Sequence, residues 1–233
     1  MSISKLALIA MLMLLAGCQS QPAKDGPVQP RSLTLSDMVK SDIDMVAEVS
    51  VRQSTAYLRE LAEKLYRRNP NHLQLASGGE LSTALDALFT KQRPRQLRGR
   101  QGADAIGLAF SDAYAGDRVA AFILGLRDMQ REAYGGEHEF FMHHKYDPQK
   151  IYHLARNLEI ASWRLRQNRS VSGSLFLLSV GKDQHGVTNT SFERLFGKLI
   201  GLHDHFAHVV ADTSNRRIKN VVQGVASAVF FPI

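Results

Sequence analysis

Val119 to Leu126, VAAFILGL, is the stretch that most restricts this chain. Every position is apolar, so a helix formed there has no polar face to give to water and must lie among other elements. Gly116-Asp117 breaks the chain before it, and Gly135-Gly136 ends it. A fold containing such a helix needs amphipathic helices to surround it.

The flanking segments supply them. Ser41-Asp42-Ile43-Asp44 carries helix-start signals, a hydroxyl and carboxylates near free amides. Ile43, Val46, Val49, Tyr57, Leu58, Leu61 and Leu65 then recur at helical spacing, and Asn69-Pro70 stops the run. Its end, LRELAEKLYRRNPNH, resembles one helix of a tetratricopeptide repeat; no second copy recurs at a fixed period, so a solenoid is not supported. Ser77-Gly78-Gly79-Glu80 matches a capping box before a helix Leu81–Phe89, and Ala103–Ala115 reads as a further helix. Asp147-Pro148 combines an N-cap with proline at the first helical position. In the helix that follows, Ile151, Leu154, Ala155, Leu158, Ala161, Ser162 and Leu165 share one face, and Tyr152, Arg156, Ile160 and Trp163 another. Ser174 to Val180 reads as a short strand or an apolar loop. Thr190-Ser191-Phe192-Glu193 is a second capping box, opening a helix to about Val210, and a last helix is expected over Arg216 to Phe230. The fold class is therefore all-α, a compact multi-helix domain over residues 34–233.

The N-terminus is different in kind. A short basic start ending at Lys5 precedes the apolar run Leu6 to Ala16, and small residues lead into Cys18. That is the layout of a secretory signal, too short to span a bilayer as a stable helix. Leu15-Ala16-Gly17-Cys18 resembles the lipobox of bacterial lipoproteins. The resemblance implies cleavage after residue 17, a diacylglycerol thioether on Cys18, and acylation of the new amine. Two or more chains suffice for stable anchoring, at about 0.8 kcal/mol per buried methylene. Gln19 follows the cysteine where an aspartate commonly retains such proteins in the inner membrane, so the outer membrane is favoured. Residues 18–33, with Pro22, Pro27 and Pro30 and few apolar residues, read as a tether.

Cys18 is the only cysteine among 233 residues, which excludes disulfides and thiol catalysis from the folded part. The formal net charge of +7 speaks to attraction by anionic surfaces, not to fold. For a secreted, tethered chain the expected partners are the membrane, through the lipid on Cys18, and an envelope protein or anionic surface; nucleic acid is not expected. Lys91, Arg93, Arg95, Arg98 and Arg100 form the most basic stretch, kept out of a helix by Pro94 and Gly99, and are the candidates for anionic-surface contact.

Histidines give the only hint of a site. A helix turns about 100° per residue. That rotation places His203 within the stripe of Phe192, Phe196, Leu199, Phe206 and Val210, as a core histidine with a hydrogen-bond partner. His205 and His208 fall on the opposite face and are metal-ligand candidates, needing further ligands from elsewhere. His138, His143 and His144, with Glu137, form a second candidate cluster for a metal or an acid–base pair. Neither matches a known catalytic spacing. There is no glycine-rich phosphate loop, no nucleophile elbow and no dinucleotide fingerprint, so no cofactor is expected. The leading expectation is a non-enzymatic, lipid-anchored scaffold, adaptor or accessory subunit. The alternatives are a lipoprotein binding a small molecule or metal, or an envelope hydrolase using Glu137, His138 or His143.

Overall fold

Every residue from Val119 to Leu126 is buried, as the uniform apolar run requires. The computed structural model describes residues 42–90, 93–136, 146–181, 188–214 and 229–233. These form α1 (Asp42–Arg68), α2 (Pro70–Ser77), α3 (Leu81–Phe89), α4 (Gly102–Ala109), α5 (Arg118–Ala133), α6 (Pro148–Gln167) and α7 (Ser191–Ser214), with one 3-10 turn at Arg95–Leu97. The protein is all-α: among the described residues there is no strand, and Ser174–Val180 is a loop beside the isolated bridge Arg169–Leu175. None of the described helices is long and apolar enough to cross a membrane.

Four helices make the centre. α1 packs on α5 and α7, and α6 packs on the same two. α1 and α7 run antiparallel, since Tyr57 meets Lys198 while Ser54 meets His203. Phe122 of α5 sits edge-on to Phe196 of α7 at 6.5 Å and to Phe110 at 5.7 Å. Burying such a side chain contributes roughly 1.5–3 kcal/mol.

Helix α5 begins at an aspartate cap. Asp117 Oδ1 accepts from the Val119 and Ala120 amides at 2.9 and 3.1 Å, holding two of the amides the first turn leaves free. Two arginines of α5 then close the ends of its neighbours. The Arg118 guanidinium donates to the carbonyls of Ala109 and Ser111 at the end of α4, and Arg127 donates to the Leu88 carbonyl at the end of α3. α4 stops at Ala109, short of the Ala115 expected from the sequence. α4 also lies unusually close to α5. A Cβ at Gly125 would come within 2.6 Å of the Gly102 carbonyl oxygen and of Ile106 Cγ1.

Several ends differ from expectation. Pro70 does end α1, but it also opens α2, a short helix with no buried residue and hence no periodic signal. Ser77 closes α2, and the cap of α3 is Glu80, whose carboxylate accepts from the Thr83 amide at 3.0 Å. The start of α6 is as expected, with Asp147 accepting from the Gln149 amide at 2.9 Å. At α7, Asn189 Oδ1 takes the Ser191 amide. In α1 the expected stripe Ile43, Val46, Val49 is only partly buried: Ile43 packs against the core, but the two valines do not. Val46 and Val49 are 40% and 48% exposed, while Asp44, Ala47, Ser50 and Ser54 face inward. The expected helix over Arg216–Phe230 lies almost wholly outside the described residues. Residues 229–233 form no helix and lie against α6, where Asn157 bonds both the amide and the carbonyl of Phe231 and His153 bonds the Pro232 carbonyl.

Candidate functional site

His203 occupies the position the helical rotation assigned to it. It is buried in α7 with Phe192, Phe196, Leu199, Phe206 and Val210. Its Nε2 lies 3.0 Å from Ser54 Oγ of α1, and its Nδ1 lies 2.9 Å from the Tyr134 hydroxyl just past α5. Three elements thus meet at one imidazole.

The protons in this network can be assigned. Gln130 Nε2 donates to the Val51 carbonyl at 3.3 Å, which turns its Oε1 toward Ser54. The flipped amide would set two oxygens against each other. Ser54 therefore gives its only proton to Gln130 Oε1, at 2.9 Å, and must accept from His203 Nε2–H. Nδ1 is then the lone pair that accepts from Tyr134, whose oxygen is hydrogen-bonded by Ser50. Every donor and acceptor of the ring is used, and burial pushes the His203 pKa down to about 3. A nucleophilic serine needs the opposite polarity, with its proton directed at the histidine. This arrangement braces α1, α5 and α7 and holds the ring neutral.

A second buried centre surrounds Asp117. Besides capping α5 it accepts from the Tyr66 hydroxyl at 2.7 Å, and its own amide donates to Gln96 Oε1 at 3.2 Å. Burial pushes its carboxyl up to about 6, against the three hydrogen bonds that favour the charged form. Tyr66 is pushed well above the usual phenol range by burial and by that carboxylate.

The basic stretch divides into two kinds of residue. Arg93 is half-buried: its Nη1 lies 2.6 Å from Asp128 Oδ1, and its Nη2 donates to the Arg100 carbonyl. Its role is to tie the loop to α5. Leu97, 1% exposed, plugs the same loop into the core. Arg95, Arg98 and Arg100 are exposed. Lys91 lies outside the described residues.

The other candidates are more scattered. His205 and His208 are exposed on α7. Among the described residues no three of His, Cys, Asp and Glu come together in a way that could hold a metal ion. Glu137, His138, His143, His144 and Cys18 lie outside the described residues. An open groove of about 680 Å3 lies between the start of α4 and the end of α5, with Asp104, Asp128, Arg131, Glu132 and Lys150 in its wall. Charges of both signs line it, and Asp128 is already held by Arg93 and by the Gly102 amide at 3.1 Å.

Sequence reasoning missed Ser54, Gln130, Tyr134, Asp117 and Asp128 as members of these clusters. Asp117 carried a signal, as a residue able to cap the helix after Gly116. The others sit at ordinary helical positions and carried none.

No protein-family model, no curated protein and no solved structure matches this chain.

Proposed function

We propose that this chain is a lipid-anchored bacterial envelope protein whose folded part is a non-enzymatic helical domain, acting as a scaffold, adaptor or accessory subunit. The observation that carries this is the order of its parts. A basic start and apolar run end in Leu15-Ala16-Gly17-Cys18, a proline-rich tether follows, and the first described helix opens at Asp42. The lipid on Cys18 supplies the membrane attachment, and Gln19 favours the outer membrane. The folded part fits a binding role: the His203 and Asp117 networks are spent on holding helices together, and the arginines of the basic turn face outward.

The test is metabolic labelling with a fatty-acid probe. Wild-type protein takes up label and fractionates with the outer membrane; Cys18→Ser takes up none. Equal labelling of the two forms overturns the reading. Cross-linking in intact cells, followed by purification from membranes, then identifies the protein partner. The open polar groove beside α4 supports one alternative, a lipoprotein that binds a small polar molecule. Thermal-shift measurements on purified protein against a panel of small polar molecules decide between the two.

A further inference from the structure

We propose that the turn Arg95–Arg100 is a docking surface for the phosphate headgroups of an anionic membrane, which Arg95, Arg98 and Arg100 engage together. The inference rests on the anchored reading for proximity, but its geometry stands independently.

The turn is built rather than loose. The Leu97 amide donates to the Pro94 carbonyl at 3.1 Å, Arg98 to Arg95 at 3.0 Å and Arg100 to Leu97 at 2.9 Å. Leu97 holds the turn to the core from below, and Arg93 clamps the Arg100 carbonyl from the side. Arg98 has φ 50°, the one non-glycine residue in the left-handed region among the described residues, and Gly99 follows at φ 75°. A residue with a Cβ is strained there, and such strain persists where the surroundings impose it. It turns the chain back on itself, so that three cations from six consecutive residues share one exposed turn.

Those three cations are available. Among the described residues none has a carboxylate at ion-pair distance; Asp128, the nearby acid, is taken by Arg93 and Arg131. All three are arginines, whose planar fork matches two phosphate oxygens at once. Three exposed arginines alone form a weak site in solution. Here the tether changes the arithmetic. Residues 19–32 reach on the order of 45 Å fully extended, so a lipid on Cys18 keeps the turn close to the headgroups and makes engagement effectively intramolecular. The lipid fixes the distance, and the turn fixes which side of the domain faces the bilayer.

The test uses the full chain carrying Cys18→Ser, so that no lipid contributes, with vesicles of phosphatidylglycerol and of phosphatidylcholine. The apolar segment Leu6–Ala16 acts on both vesicle types and the other basic residues of this +7 chain are unchanged, so the drop in the affinity ratio when the three arginines are replaced reports the basic turn. The expected drop is about 100-fold at low salt, from about 5-fold per arginine, and it shrinks as salt rises. Arg95→Gln/Arg98→Gln/Arg100→Gln gives that drop while the helical circular dichroism stays unchanged. Arg98→Gly provides a second variant that relaxes the strained backbone: it folds at least as stably as wild type and loses about 5-fold in the ratio. An equal ratio in wild type and either variant overturns the proposal. So does wild-type protein that binds purified peptidoglycan but shows no preference for phosphatidylglycerol vesicles. Inorganic phosphate competing at millimolar concentration places the recognition in the free anion instead of the membrane, and overturns it too. Absence of fatty-acid label on wild-type Cys18 removes the anchor while leaving the vesicle comparison readable.

Discussion

His203 Nε2 lies 3.0 Å from the Ser54 hydroxyl, and the histidine is the donor. Each member of this chain of hydrogen bonds therefore depends on its neighbour's orientation. Ser54→Ala leaves Nε2–H and Gln130 Oε1 without partners in a buried place, and Tyr134→Phe leaves the Nδ1 lone pair bare. Each change is expected to cost about 1–3 kcal/mol. Because the two act through one imidazole, the double variant should cost less than the sum by at least about 0.5 kcal/mol. Urea unfolding of the four proteins checks this, and strict additivity would show that the network is not coupled.

The same imidazole sets a pH dependence. Its pKa is about 3 in the fold and 6.5 when free, because burial disfavours the cation. Between those values the unfolded chain binds more protons than the folded one, so stability rises with pH there. The contribution is fully present above about pH 6.5 and is lost as pH falls toward 3. The whole shift corresponds to several kcal/mol. His203→Leu fits the apolar stripe and cannot titrate. At pH 7 it should be the less stable protein, having taken one of their hydrogen-bond partners from each of Ser54 and Tyr134, and the gap from wild type should narrow as pH falls to 4. A gap that stays constant or grows would contradict the neutral, buried ring.

Glycines in helices separate close packing from simple propensity. A Cβ at Gly125 meets backbone, with the Gly102 carbonyl oxygen at 2.6 Å and the Ile106 amide nitrogen at 3.0 Å, and neither can move without shifting α4. Gly125→Ala should therefore destabilise by about 1–3 kcal/mol despite alanine's better helix propensity. At Gly201, exposed in α7, an added Cβ meets nothing within 4 Å. Gly201→Ala should stabilise by about 0.5–1 kcal/mol. Thermal melts of the two variants moving in the same direction would refute this account of the α4–α5 contact.

These clusters show what a one-dimensional reading can reach. The buried run Val119–Leu126 was legible because apolar residues on all sides leave no alternative, and the place of His203 because helical rotation is rigid. Asp147-Pro148 was legible because caps are local chemistry. The first half of α1 was not. Ile43, Val46 and Val49 look like the buried face, yet the helix turns Asp44, Ser50 and Ser54 inward. It can do so because Tyr146 donates to Asp44 at 2.9 Å, Tyr134 accepts from Ser50, and His203 donates to Ser54. Those partners lie far along the chain, where periodicity within one segment cannot see them. Arg93 was grouped with its basic neighbours for the same reason: its carboxylate, Asp128, belongs to another helix.

That grouping makes a prediction about stability. Arg93→Gln removes the fork that bonds both Asp128 and the Arg100 carbonyl, and leaves a buried carboxylate with the Gly102 amide and the more distant Arg131. A loss of about 1–3 kcal/mol is expected. Arg95→Gln, exposed and without a carboxylate partner among the described residues, should change stability by less than about 0.5 kcal/mol. Equal effects on the denaturation midpoint would mean that the basic stretch is one class of residue after all.

Asp117 should show the reverse pH dependence to His203. Its carboxyl is raised to about 6 in the fold from 3.8, because burial outweighs the bonds from Tyr66, Val119 and Ala120. Between these values the folded state binds more protons than the unfolded chain, so this group's contribution is fully present below about pH 3.8 and is lost as pH rises to about 6. The shift corresponds to about 3 kcal/mol. Protonation at Oδ2 leaves Oδ1 free to keep both amides of the cap, and the Tyr66 hydroxyl can turn to accept. Asp117→Asn keeps an N-cap of equal quality and cannot titrate. Measured against that variant, wild type should be relatively more stable at pH 4 than at pH 7. Over the same range the His203 comparison must change in the opposite sense, since acid removes stability from wild type there. Denaturant midpoints of both variants at the two pH values check the pair. If the Asp117→Asn difference instead favours wild type more at pH 7, the hydrogen bonds outweigh burial at this carboxylate, and its folded pKa lies below 3.8.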